Sequence, residues 1–217
     1  AKITRKDDKN GYQIYEIEFT ELGQNNVTVN YGDNKESILQ YYSTESVETL
    51  IDMNTDFIVD NQQAKNTGHG YEGAYLQWNM ATGKLITWHD YPGGGYPTWM
   101  AGGSDDLGLS PAVYISQKNI TDPDEKQIAS VEYYLKNFIW GYLQQHDTYK
   151  VYRWYDGKDG TPSDQGTWRS YNYVHVANTY YNMYQIATRY PDMVNYLDAK
   201  EYLLRAYHTL KAYFTYG

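Results

Sequence analysis

Two carboxylates sit side by side in a glycine-rich bend, Gly102-Gly-Ser-Asp-Asp-Leu-Gly108. They are the residues whose type and spacing most directly suggest chemistry. Cleaving a glycosidic bond by hydrolysis needs two carboxyl groups facing each other across a sugar. Neighbouring residues of an extended chain point to opposite sides, so Asp105 and Asp106 do not form that pair with each other. In the functional reading one of them enters a cleft as an acid/base or water-positioning group. The other then holds the loop, a helix N-terminus or a structural calcium ion. A turn in which both aspartates accept hydrogen bonds from backbone amides accounts for the motif equally well.

Arg169-Ser-Tyr-Asn-Tyr-Val-His175 is a second constellation. At helical spacing Asn172 and His175 share a face, and Arg169 and Tyr171 stand at the helix entrance. His175 joins Asp105 and Asp106 as a catalytic candidate, with Arg169, Tyr171 and Asn172 as substrate contacts. The competing reading, a buried histidine and asparagine tying helices together, is the stronger one for His175. Trp78, Trp88, Trp99 and Trp168 lie in or beside glycine-rich segments and offer flat platforms for the C–H faces of sugar rings. Tryptophan that simply fills space between loop and helix is the alternative. His69, His89, Asp90 and His208 match no dense ligand spacing, so no metal is assigned. Phosphate loops, dinucleotide fingerprints and nucleophile elbows are absent from the sequence.

Helices, with a short β segment before them, must position these residues. Residues 1–42 read as β-structure: Tyr12–Phe19 is rich in β-branched and aromatic residues, Gly23–Asn26 reads as a turn, and strands follow around Val27–Tyr31 and Ser37–Tyr42. Such a segment is the tail of a β-sandwich or a small sheet. Residues 43–217 read as a helical-hairpin domain. A helix over 44–64, capped by Ser43 or Thr44, carries Val47, Leu50, Ile51, Phe57 and Ile58 on one face. A long glycine- and aromatic-rich loop covers 66–119, with a short hairpin around Ala81-Thr-Gly83. Asp122-Pro-Asp-Glu125 then sets up a helix start with Asp122 as cap, and Ile128 to Leu143 supply its apolar face. After a loop from Tyr155 to Gly166, Ser170 opens a helix that ends near Tyr190. The last helix carries Tyr202, Tyr207, Leu210 and Tyr213. The two form an antiparallel hairpin.

Composition narrows the classes. The chain has 217 residues with 27 Tyr, 6 Trp, 4 Phe and no Cys, and a net charge of −9. Without cysteine there are no disulfides, thiolate metal sites or cysteine nucleophiles. An acidic chain repels phosphate backbones, which argues against general nucleic-acid binding. No apolar run is long enough to span a membrane.

The order of sheet end, helix, Gly102–Gly108 loop, Lys118-Asn119 before a capped helix, and Tyr171–His175 resembles an uncharacterised family of secreted bacterial proteins. That family is similar to the six-hairpin glycosidase superfamily, in which a β-sandwich precedes an (α/α)6 toroid. The resemblance implies a mainly α fold with a short N-terminal β segment, forming part of a toroid-like architecture. It implies a carbohydrate partner and an extracellular or bacterial cell-surface location. The expected activity is glycoside hydrolysis of a neutral oligo- or polysaccharide; a polysaccharide lyase or a glycan-binding module are the other readings. Fewer helices are present than six hairpins need, so the chain is expected to be a fragment of a larger parent chain.

Overall fold

The computed structural model describes residues 1–87, 108–160, 162 and 166–217. The chain divides into two compact units, Ala1–Asp52 and Met53–Gly217.

The first unit consists of two antiparallel hairpins. β1 (Lys2–Arg5) pairs with β2 (Tyr15–Glu18), and β3 (Gly23–Asn30) pairs with β4 (Glu36–Ser43) in a register that sets Val27 opposite Leu39. Gly23–Asn26, expected as a turn, is strand; Gly32-Asp-Asn34, which the sequence also marks as a turn, is one, and all three residues have positive φ. Glycine and asparagine tolerate that region, and it matches the twist of a tight hairpin. Phe19 and Tyr41 meet with ring centroids 5.3 Å apart. α1 (Val47–Phe57) begins in this unit, and its start is held by the Ser46 hydroxyl, which accepts from Thr49 N, rather than by Ser43 or Thr44.

The second unit is helical. α1 passes into a π-helical turn over Ile58–Gln62. The short hairpin around residues 81–83 is present as β5 (Trp78–Asn79) and β6 (Lys84–Leu85). Within the stretch read as loop, residues 110–119 form a helix, α2 (Ser110–Asn119), with proline in its first turn. α3 (Glu125–Tyr133) starts at Asp124, not Asp122: the Asp124 carboxylate accepts from Gln127 N at 2.9 Å. Such a cap is worth about 1 kcal/mol. α3 continues as a π-helix over Tyr134–Leu143. α4 (Ser170–Arg189) follows Arg169 without a side-chain cap, so the expected Ser170 cap is replaced by a helix that begins at that serine. α5 (Ala199–Tyr216) is capped by Asp198 through Glu201 N.

α4 packs along α5 and against α2. Phe138, Leu135, Ile128, Ile115, Tyr173 and Met183 are wholly buried between the helices. Burying each such side chain contributes about 1.5–3 kcal/mol. Tyr180 and Tyr202 belong to this core as their spacing predicts, whereas Tyr207 is 59% exposed on the outer face of α5. No helix among the described residues is long and apolar enough to cross a membrane.

Candidate active site

Three segments converge on a cleft of about 550 Å³. They are the loop 66–72, the π-helical end of α3, and the loop that begins at Tyr155. The cleft lies within the usual size range of small-molecule sites. The first segment is clasped by Glu72, whose carboxylate accepts from Asn66 N, Thr67 N, the Thr67 hydroxyl and the Tyr133 hydroxyl. Burial pushes the Glu72 carboxyl up, but these four donors together hold it below its ordinary value. The hydrogen bond to Glu72, with burial, pushes the Tyr133 phenol up to about 12. Thus fixed, the loop presents His69 and Gly70 to the cleft.

The π-helix supplies the second wall. Its i→i+5 ladder brings positions five apart into line, which an α-helix does not do. Asn137 and Tyr142 are such a pair, and both line the cleft with Trp140 and His146. Trp140 and His146 stack with centroids 4.2 Å apart, and His146 Nε2 donates to Trp140 O. Arg205 lies 3.7 Å from the centre of the Trp140 ring.

Asp159 is the hub. It accepts from His69 Nδ1 at 2.8 Å, from Gly70 N at 2.8 Å and from the Tyr155 hydroxyl at 3.0 Å. The bond from His69 comes first in holding the Asp159 carboxyl below the ordinary range; burial opposes it, and Gly70 and Tyr155 reinforce it. An ionised carboxylate can only accept, so Nδ1 carries the proton and Nε2 is the basic nitrogen of His69. Tyr142 donates to Asp156 Oδ1 at 2.7 Å. Burial first, then their carboxylate partners, push the phenols of Tyr142 and Tyr155 far up, so both stay protonated. Tyr71, buried, stacks on His69 and meets Tyr155 edge-on, fixing the imidazole from behind. The arrangement is an imidazole oriented by a carboxylate beside protonated phenols, a set suited to taking up and returning protons.

Gly70 has a second constraint. A Cβ built there lies 2.5 Å from the Tyr142 ring. Gly70→Ala is expected to displace the ring or the loop and to lengthen the Asp159 contact. A loss of about 1–3 kcal/mol in urea unfolding would measure the overpacking; an unchanged midpoint would mean the ring moves at no penalty.

Of the candidates singled out by sequence, Trp78, Trp168, Arg169, Tyr171, Asn172 and His175 are not among the residues lining this cleft. Asp105, Asp106, Trp88 and Trp99 lie outside the described residues. Trp78 stands on β5 with its ring edge-on to Phe57. His175 Nδ1 donates to Tyr171 O of its own helix. Asn172 is fully buried and donates through Nδ2 to Tyr152 O and Arg153 O, so it pins backbone instead of meeting solvent. Trp168, Arg169 and Tyr171 do come together, joined by Arg153 and Trp154. Arg153 lies over Trp154 at 4.3 Å and Trp168 at 5.5 Å; Arg169 lies over Trp154 at 5.6 Å and Tyr171 at 4.9 Å. Among the described residues no three His, Asp or Glu side chains gather as a metal site.

This fold is shared with a solved structure. A chain described as a polysaccharide lyase superposes with a TM-score of 0.71 at 22% identity, over 99% of this chain and 29% of that one. The chain therefore spans under a third of that structure's length, and the likeness concerns the fold. The chain belongs to a family of unknown function (DUF5695), whose model matches residues 1–158 and 161–216. No curated protein matches the sequence.

Proposed function

We propose that this chain contributes a proton-transfer cleft to a carbohydrate-active protein that cleaves polysaccharide by elimination. The observation that carries the reading is the Asp159–His69 pair set into a cleft beside Tyr142. Elimination needs a base to remove a ring proton and an acid to protonate the departing oxygen, roles open to imidazole and phenol. Glycoside hydrolysis, the other reading, needs two carboxyl groups facing across the sugar. Here Asp159 is committed to His69, Gly70 and Tyr155, and Asp156 accepts from Tyr142 and from Lys158 N. A hydrolase would have to draw its pair from residues such as Asp105 and Asp106. The fold shared with a polysaccharide lyase supports the choice. The helical unit is read as part of an α/α toroid, and the protein as extracellular or at the bacterial surface, because intact polysaccharides do not cross membranes.

Incubation with a panel of acidic polysaccharides tests the reading. The expected result is ultraviolet absorbance from an unsaturated sugar end. New reducing ends without that absorbance would return the site to hydrolysis.

A further inference from the structure

We propose that His146, laid flat on Trp140, is the floor of a sugar subsite in the cleft, holding one ring of the polymer by its C–H face and a hydroxyl. The inference rests on the polysaccharide reading above. It adds a surface on which the polymer lies, made of residues other than the His69 pair.

The imidazole and the indole are nearly parallel, at 5°, with centroids 4.2 Å apart. The Arg205 guanidinium lies 3.7 Å from the centre of the Trp140 ring. Two flat groups at those distances would overlap if they shared a face, so they cover opposite faces of the indole. Arg205 is buried and donates to the Tyr196 hydroxyl at 3.0 Å, which places it on the core side. Both faces of Trp140 are thus occupied, and the flat surface left for the cleft is the outer face of His146, an exposed residue. Its Nε2 is engaged, donating to Trp140 O at 2.7 Å. With the proton on Nε2, the lone pair of a neutral imidazole sits on Nδ1 and can accept from a sugar hydroxyl.

The loop that carries His146 is held closed. Gln144 bridges to Val151, Gln145 N donates to Lys150 O, and Gln145 Nε2 donates to the Tyr152 hydroxyl at 2.7 Å. Within it Tyr149 has a φ of 56°, in the left-handed region, and its ring leans on Trp140 with centroids 5.7 Å apart. Such a conformation costs a non-glycine residue about 1–3 kcal/mol and is characteristic of ligand sites. Gly68, Gly70, Gly141 and Gly160 also line the cleft, so much of its wall is backbone that a sugar can approach closely.

Histidine-selective NMR of the whole chain tests the subsite, with oligogalacturonate, oligomannuronate and a chondroitin oligosaccharide as probes. At least one of them should move the His146 ring C–H signals saturably, these being assigned by their loss in His146→Phe. By calorimetry His146→Ala should weaken that sugar several-fold, up to about tenfold, the size of one aromatic contact. His146→Phe keeps a flat surface and should recover most of the affinity. In cleavage assays His146→Ala should raise KM by a similar factor and leave kcat about unchanged. Saturable binding that leaves the His146 signals in place overturns the inference and keeps the polysaccharide reading. So does parent-like affinity in His146→Ala. A loss in kcat as large as the rise in KM also overturns it, by making His146 a proton-transfer group. Absence of binding to all three probes overturns both readings. Should His146→Ala unfold, the signals of the unaltered chain decide alone.

Discussion

Under the proposed elimination, replacing His69 with alanine is expected to slow polysaccharide cleavage by about 10²–10⁴-fold, the usual contribution of a positioned general base. Asp159→Asn should slow it by about 10²-fold, as a misaligned catalytic group does. The asparagine keeps the shape but removes the ionised acceptor that fixes Nδ1–H and aims Nε2. His175→Ala is the control: that ring donates to Tyr171 O on its own helix and should leave the rate close to the parent's. Initial rates of unsaturated product, with melting curves for each variant, decide. A parent-like rate in His69→Ala would remove the imidazole from the mechanism. Equal losses at His69 and His175 would point to a general loss of fold.

The largest stability effect is expected at Glu132. Its carboxylate is 6% exposed and accepts from Asn195 N, Tyr196 N and the Tyr202 hydroxyl, at 2.8–3.0 Å. One side chain of α3 thereby secures both the connection between α4 and α5 and the beginning of α5. Glu132→Ala leaves two amides and a buried phenol without their acceptor, and each stranded group costs about 1–3 kcal/mol. A loss of at least about 3 kcal/mol in urea unfolding is the expected result. Glu132→Gln should recover part of it, because one oxygen still accepts while the amide nitrogen opposes an N–H. A change below about 0.5 kcal/mol for alanine, the range of ordinary surface substitutions, would mean solvent replaces the carboxylate.

Much of the helical scaffold is readable along the chain. The apolar spacing from Ile128 to Leu143 and that of Tyr173, Ala177 and Tyr180 follow the helical period, because the core selects those positions. The π-helical ladder is not readable, since the same apolar run suits an α-helix, and it is the ladder that aligns Asn137 with Tyr142. α2 is masked by the glycine-rich sequence before it and by its own weak periodicity. The cap of α3 shifted from Asp122 to Asp124 because both aspartates precede suitable positions and only the backbone decides between them.

The site itself was far less accessible. His69 and Asp159 stand in separate turn-rich loops, and nothing local to either sequence announces the other. The spacing of Asn172 and His175 leaves substrate contact and a buried tie both open for Asn172, because it says which residues neighbour each other, not which face meets a neighbouring backbone. Net charge is likewise silent on local placement: in a chain that sums to −9 the fold gathers Arg153 and Arg169 around one indole.

The abundance of tyrosine has an optical consequence. Burial raises the phenols of Tyr75, Tyr134, Tyr180 and Tyr202 above their ordinary range. Phenolate has its own ultraviolet band, and these four core rings do not contribute to it while the helices remain packed. An alkaline titration of the chain should therefore show an inner set of chromophores whose band appears only as the fold is lost. The residue that dominates the composition thus acts as a built-in colour indicator of the intact core.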